Sequence, residues 1–395
     1  MHGAGRVVTA HASVAAIAPH AVEIAPARVA LLGTGNVGGA LIERLAQWSG
    51  MPLGRALRLV HVANSRQSVS CVHGIAHQDA VPLLRWGIAG ALDDVAPALH
   101  GEGTRIVIDA TASAEVAARH AAWLAAGIHV VTACKLAQGG PLAAWRSIRD
   151  ACASGSTHYG DSATVGAGLP LLRTVRELQA GGDRIHAIAG VLSGSMAWLF
   201  DRYDGVQPFS QLLREARDAG YTEPDPREDL SGDDVRRKLL ILARAAGVPL
   251  EVADVELQSL LPDSMRALSV GGFDAALPTL DVPLQARHAA ARRDGVRLHF
   301  IARLDVPHWP SRDPGAAGPP RARIGLEALP QGHPLAAGAG TDNRLAIWSD
   351  RYRERPLVIQ GAGAGAGVTA AALLDDVLRI AALRKPERDR FGARQ

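Results

Sequence analysis

Cysteine is scarce in this chain. Cys71, Cys134 and Cys152 are its only three, too few and too widely spaced for a disulfide framework or a C-x-x-C metal site, which points to a reducing compartment. Long apolar runs are missing too: no stretch approaches the ~18 consecutive apolar residues of a membrane span, so no membrane partner is expected. Nor is charge of one sign concentrated. The formal net charge is +3 and the pI near 9.0, a slight arginine surplus without any basic run dense enough to track a phosphate backbone, so no nucleic-acid partner is expected either. No repeat of fixed period is present. Residues 1–26 hold Arg6 and an Ala/Val-rich segment in the manner of a signal peptide, but His11, His20 and Glu23 interrupt it and the fold begins directly afterwards. The expected location is cytoplasmic.

What is present is an ordinary soluble composition, 48% apolar and 21% charged over 395 residues, enough for two or three domains with real cores. From Arg28 the pattern runs strand, glycine turn, helix: "RVALLG", "TGNVGG", "ALIERLAQW". Further apolar runs follow at βαβ intervals, "LRLVHVA" (57–63), "RIVIDAT" (105–111) and "GIHVVTA" (127–133), with the helical "AEVAARHAAWLAAG" between the last two. Strands alternating with helices predict an α/β unit with a parallel, doubly wound sheet. After about residue 157 the pattern changes. "GLPLLRTVRELQAGG" and "PFSQLLREARDAG" read as amphipathic helices closed by glycine, while "RIHAIAGVLSG", "RLHFIARLD", "RARIGLEAL", "RLAIWSDRY" and "PLVIQG" read as strands of an α+β unit. The Pro/Gly segment 306–320 reads as a loop within it.

Gly33, Gly35 and Gly38, with Asn36 and Val37 between them, fit G-x-G-x-x-G after a strand and before a helix. That spacing meets the needs of a pyrophosphate: a tight turn, close backbone approach and free amides at a helix N-terminus. Versions that bind NAD often place a carboxylate at the end of the second strand for the ribose 2′-hydroxyl. Here that strand ends "VANSRQS", where Ser65 and Arg66 could grip a 2′-phosphate instead. NADP is therefore the expected cofactor, with NAD as the alternative.

A second stretch, "GYTEPDPREDLSGDDVRRKLLILAR" (220–244), crowds six carboxylates just ahead of a lysine and an apolar run. One reading is local. Ser231 and Asp234 resemble a capping box, Asp233 favours the helix dipole, and Asp234 with Lys238 makes an i,i+4 surface pair. The other is chemical. A lysine in the first turns of a buried helix needs partners, and Glu223, Asp229 and Asp234 could supply them while also holding an ammonium substrate. The residues themselves leave the two open.

The same stretch resembles the signature of the homoserine dehydrogenases, G-Y-x-E-x-D-P-x-x-D followed by G-x-D-x-x-x-K. The similarity extends from about Arg28 to about Ala382, through "DATAS" (109–113), "VVTACK" (130–135), "ATVGAGLP" (163–170), "GVLSGSMAWLF" (190–200) and "GAGAGAGVTAAALLDDVLRI" (361–380). The resemblance implies the NAD(P)-dependent interconversion of L-homoserine and L-aspartate 4-semialdehyde, in threonine and methionine biosynthesis, by a homodimer. It also implies roles for particular residues. Lys238 is the acid/base, Asp234 orients it and shares the substrate contact, and Glu223 binds the substrate amino group beside Tyr221, Asp229 and Gly194. Lys135 lies between cofactor and substrate, and Thr111 and Gly365 contact the cofactor. Some members bind sodium through main-chain carbonyls matching Ser162, Val165, Ala167 and Leu169.

The implied architecture has an N-terminal extension (1–27), a Rossmann-type domain (28–157), a catalytic and dimerisation domain (158–355), a segment returning to the first domain (356–384) and a tail (385–395). No kinase or C-terminal regulatory domain is expected within the chain. It departs from the family pattern at Cys134, where Asn is usual before the lysine, at Ser162, usually Glu, and at Ser195, usually Thr. Loss of the carboxylate at 162 weakens the expectation of a sodium site. Cys134 raises the rival of a cysteine-acylating semialdehyde dehydrogenase, but no histidine stands near it in sequence to activate a thiolate. A scaffold that kept the fold and lost the chemistry is disfavoured by Glu223, Asp234 and Lys238 standing together.

Overall fold

Thirteen strands form two sheets in the computed structural model, which describes residues 25–307, 318–337 and 340–383. Most of the N-terminal extension, all of the tail and much of the 306–320 loop lie outside those residues. Ala27 already belongs to the first strand.

The first sheet has the order β4-β3-β2-β1-β5-β6-β7, with β1 Ala27–Leu32, β2 Leu57–Ala63, β3 Gln67–Ser70, β4 Ile88–Ala89, β5 Arg105–Asp109, β6 His129–Thr132 and β7 Tyr159–Gly160. The strands from β2 across to β7 are parallel, and β1 is buried along its whole length, as expected of a strand covered on both faces. Val29, Leu31, Ile106 and Ile108 meet helix Asn36–Gln47 and the C-terminal helix Ala366–Ala382 on one face. Ala30, Leu32, Val107 and Val130 meet helices Ala114–Ala125 and Leu142–Gly155 on the other. The expected parallel sheet is modified at one edge, where β3 and β4 run antiparallel. The cause is local: Asn64 Oδ1 accepts from the amides of Arg66 and Gln67, both at 2.8 Å, reversing the chain directly after β2. β7 extends this sheet to residue 160, three residues beyond the boundary read from sequence.

The second sheet has the order β13-β12-β8-β10-β11-β9, with β8 Ile185–Val191, β9 Val255–Leu257, β10 Val296–Asp305, β11 Arg321–Pro330, β12 Asp342–Ser349 and β13 Leu357–Ala362. It is antiparallel apart from the β11–β9 pair. Helix Asp233–Ala245 crosses its core, and Leu239 to Ala243 have no exposed surface. This explains a run apolar on every side: the helix is surrounded, by Leu171, Phe209 and Phe300 among others.

Two features tie the sheets together. The C-terminal helix leaves β13 and packs back against helix Asn36–Gln47. Arg244, at the far end of the lysine-bearing helix, donates to the carbonyls of Gln138 and Leu250. The loop after β6 passes so close to that helix that a Cβ at Gly139 would lie 2.7 Å from Arg237 Cβ.

Candidate active site

The glycine turn works by what its residues lack. Gly33 sits at φ +93°, where only glycine is comfortable, and a Cβ there would lie 2.8 Å from Ala110 O. At Gly38 a Cβ would fall 1.9 Å from Gly33 O, so helix Asn36–Gln47 starts hard against the turn. Gly35 faces open space. The helix has no side-chain cap and no acidic residue in its first turn, which leaves the N-terminal amides of Asn36 and Val37 to an anion. Ser65 and Arg66 are exposed at the end of β2, and the Arg66 guanidinium has no hydrogen-bond or ion-pair partner among the described residues. A nicotinamide dinucleotide fits this cradle.

The acidic stretch folds into a short helix, Arg227–Ser231, and then the longer lysine helix Asp233–Ala245, separated by Gly232 at φ +75°. That turn overturns the capping-box reading. Ser231 Oγ donates to Glu228 O at 2.8 Å and accepts from the Asp233 amide, and Asp234 faces away from the cap. Its Oδ2 lies 2.9 Å from Lys238 Nζ and its Oδ1 3.4 Å from Lys135 Nζ. Lys238 also donates to Leu192 O at 2.8 Å, and only 12% of its side chain is exposed. The i,i+4 pair is thus real, and its carboxylate also lines a cleft of about 370 Å3 shared with Ser193, Glu223, Asp229 and Arg237.

The surrounding carboxylates differ in electrostatic state. Burial works to raise the Asp234 carboxyl, but the charges and hydrogen bonds of Lys238 and Lys135 outweigh it and hold it well below the usual range. Glu223 is pushed up, by burial first and then by the charges of Asp229, Glu228 and Asp234. Asp229 is also raised, by burial, against the opposing hydrogen bonds from Ser195 Oγ (2.5 Å) and the Glu223 amide (2.9 Å). Gly194 opens helix Gly194–Arg202 behind the Ser193 cap. Tyr221 stacks on Trp198 with ring centroids 4.7 Å apart. Lys135 of the first domain thus meets Asp234 and Lys238 of the second, and Glu223 and Asp229 line the same cleft as Asp234, while Gly194 and Tyr221 are not among its lining residues.

Other expected residues lie apart from this cluster. Thr111 bonds to Asp109 at the end of β5, and its methyl carbon lies 3.0 Å from where a Gly33 Cβ would be. Gly365, at φ +122°, starts the C-terminal helix. Ser162, Val165, Ala167 and Leu169 form a tight loop with Gly166 and Ala167 both at positive φ. Asp376 on the returning helix accepts from the Ser162 amide at 2.9 Å and its hydroxyl at 3.0 Å, bringing a carboxylate to that position. Cys134 is buried, and burial together with the Asp109 charge pushes its thiol up, which opposes thiolate chemistry.

The sequence reading missed several groups. The Leu192 carbonyl, which Asn343 Nδ2 also reaches at 3.4 Å, carries no side-chain signature at all. Trp198 and Ser193 lay within a quoted motif but had no assigned partner. One available signal went unused: the chain has three lysines, at 135, 238 and 385, and two of them meet on Asp234. Arginine supplies the remaining basic side chains, yet it cannot give up its proton at ordinary pH, so a lysine retained here is informative.

Both halves of the chain resemble known proteins. Residues 33–159 match the homoserine dehydrogenase NAD-binding domain and residues 170–378 the homoserine dehydrogenase domain. The homoserine dehydrogenase of Paracoccidioides brasiliensis is 35% identical, over 88% of this chain and 97% of that protein. The bifunctional aspartokinase/homoserine dehydrogenase 2 of Escherichia coli is 38% identical, but the chain spans only 43% of its length. Among solved structures, a Candida auris protein of unknown function superposes with a TM-score of 0.79 at 32% identity, covering 90% of this chain and 98% of that one. A hyperthermophilic archaeal homoserine dehydrogenase in complex with NADPH shares the fold, with a TM-score of 0.67 at 18% identity over 89% and 97% of the two chains. With a glycine cradle on one sheet, a lysine–carboxylate cleft at the other and both family domains matched in order, the chain belongs to the homoserine dehydrogenase family.

Proposed function

We propose that the protein interconverts L-homoserine and L-aspartate 4-semialdehyde with a nicotinamide cofactor, NADP in preference to NAD. The observation that carries this reading is the setting of Lys238. Its ammonium has three N–H donors; Asp234 Oδ2 and Leu192 O take two, which leaves one for a substrate oxygen. A bound nicotinamide would supply or accept the hydride. In the reducing direction Lys238 gives a proton to the aldehyde oxygen as it becomes a hydroxyl, and in the oxidising direction the amine takes it back. Asp234 holds that amine in place, and Lys135 ties the arrangement to the cofactor domain.

The amino group of the substrate has a matching partner. Glu223 and Asp229 both sit above their usual range because burial and neighbouring carboxylates disfavour their charges, and an incoming ammonium would offset that cost. Gly33, Gly35, Asn36, Val37 and Gly38 would hold the pyrophosphate, and Arg66 with Ser65 the 2′-phosphate. Assay of the purified protein with aspartate semialdehyde and NADPH, then NADH, tests the reading; absence of turnover with both would sink it.

The reading includes a sodium ion at the main-chain carbonyls of Ser162, Val165, Ala167 and Leu169. Its support is the turned loop at Gly166 and Ala167 and the carboxylate that Asp376 adds. A melting temperature unchanged between sodium and tetramethylammonium chloride would remove it. The reading also includes a homodimer, which sedimentation velocity tests directly.

A further inference from the structure

Buried polar groups that the proposed reaction does not use converge on Asp109, a side chain with no exposed surface at the end of β5. Its Oδ1 accepts from the Thr111 amide at 2.9 Å and the Thr111 hydroxyl at 2.7 Å. Its Oδ2 lies 3.1 Å from Thr132 Oγ1 and 3.0 Å from His120 Nε2. His120 is fully buried as well, and its Nδ1 is 2.9 Å from the Tyr159 hydroxyl. Burial, and then the charges of Asp161 and Asp109, push the Tyr159 phenol well up, so it keeps its proton. The hydroxyl can then donate to Nδ1 while Nε2–H donates to Asp109, which sets the tautomer of the ring. All four partners of the Asp109 carboxylate are donors, the Thr132 hydroxyl being shared with the Asp109 carbonyl at 3.3 Å, an acceptor set that an amide cannot reproduce.

A carboxylate and an imidazole with no exposed surface, backed by a half-buried phenol, are costly to maintain among Val, Ile and Leu, and the strands need none of them to pair. What they do have is two loops hanging from a single point. The first runs through Thr111, whose methyl faces Gly33 and whose hydroxyl accepts from Ser113, the cap of helix Ala114–Ala125. The second runs through Thr132: its Oγ1 accepts from the Cys134 amide at 2.8 Å, and the next residue is Lys135, which reaches Asp234.

We propose that Asp109 is a positioning residue that sets the spacing between the cofactor loop at Thr111 and Lys135, with His120 and Tyr159 as its buried support. The proposal rests on the site reading given above. It predicts separable effects, because the two arms are distinct bonds. In Asp109→Asn an NH2 faces at least one donor in place of an acceptor, so both arms loosen. The NADPH dissociation constant, read by fluorescence titration, should rise about tenfold and turnover should fall about tenfold, the weight of one buried unsatisfied donor for each arm. Thr132→Val keeps the volume and cuts only the second arm. Its turnover should fall about fivefold while NADPH affinity stays within about twofold of the parent.

A purely structural role would lower the melting temperature of both variants and, in Thr132→Val, move the two constants together or not at all. Asp109→Asn with NADPH affinity and turnover both within about twofold of the parent would overturn the proposal. So would Thr132→Val weakening NADPH as much as it slows turnover, and that result decides the matter even if Asp109→Asn does not fold. The titration needs no turnover. Loss of NADPH affinity in Asp109→Asn, in a parent that fails to act on homoserine, would therefore defeat the activity reading and leave the positioning of the cofactor loop standing.

Discussion

The turn at Gly33–Gly38 and the cleft at Glu223–Lys238 prepare for charge in opposite ways. The turn removes side chains until bare backbone amides face outward, and its specificity is that of a shape. The cleft collects side chains and lets their charges oppose one another, three carboxylates against two lysines, so that the state of each depends on the rest. A shape built by short-range contacts tolerates no added carbon. A charge cluster tolerates changes of size but not the loss of a proton donor. The two regions should therefore fail in different ways when altered.

The largest effect is expected in the cleft. Lys238→Ala should lower turnover by ~10²–10⁴-fold, the usual weight of a positioned proton donor, while leaving NADPH affinity nearly intact. A variant within about threefold of the parent in turnover would falsify the acid/base assignment. The turn should fail by sterics. Gly38→Ala places a carbon 1.9 Å from Gly33 O, so the start of the helix must move; loss of cofactor binding and a clear drop in melting temperature are expected. Gly35→Ala sharpens the contrast, since nothing lies within 4 Å of its Cβ. That protein should melt like the parent yet bind NADPH at least about tenfold more weakly, because the pyrophosphate needs the space. Equal melting losses in the two glycine variants would show that the turn is structural only.

The pH dependence of the cleft comes next. Glu223 is held above the usual carboxylate range, so its negative charge is lost at a higher pH than for an ordinary glutamate. The homoserine KM should rise about tenfold per pH unit as pH falls below that point, the slope of a single ionisation. Glu223→Gln should raise KM at neutral pH and flatten the profile; a profile unchanged by the substitution would dissociate Glu223 from the substrate amine. The smallest effect belongs to Arg66. An arginine fork on a 2′-phosphate is worth about 1.5–3 kcal/mol, so Arg66→Ala should raise the NADPH KM about tenfold or more with little change for NADH. Equal losses for both cofactors would make the arginine structural and remove the basis for preferring NADP.

Much of this was legible in advance, for reasons that differ by region. β2 lies at residues 57–63 as its apolar pattern indicated, and the glycine spacing placed the turn, because each depends on neighbours within a few positions. The antiparallel edge of β3 and β4 was missed. Its cause, the Asn64 side chain turning back on two amides, is a single-residue event without periodicity. The capping box, one of two readings the residues leave open, does not form, because Gly232 takes the cap position and leaves Asp234 to face the lysines.

Sequence alone determined the order of elements, the glycine turn, the apolar run that makes the lysine helix a core helix, and the crowding of carboxylates before it. Those are properties of spacing and hydrophobicity, which act along the chain. Tertiary structure alone decided that Lys135, 103 residues before Lys238 in sequence, meets it on one carboxylate, and that Asp376 answers Ser162. It also decided that a main-chain carbonyl, Leu192 O, accepts from the Lys238 ammonium. Contacts of that kind are made by whichever groups two sheets and a returning helix bring within about 3 Å, a distance set by packing and hydrogen-bond geometry rather than by any pattern in the chain.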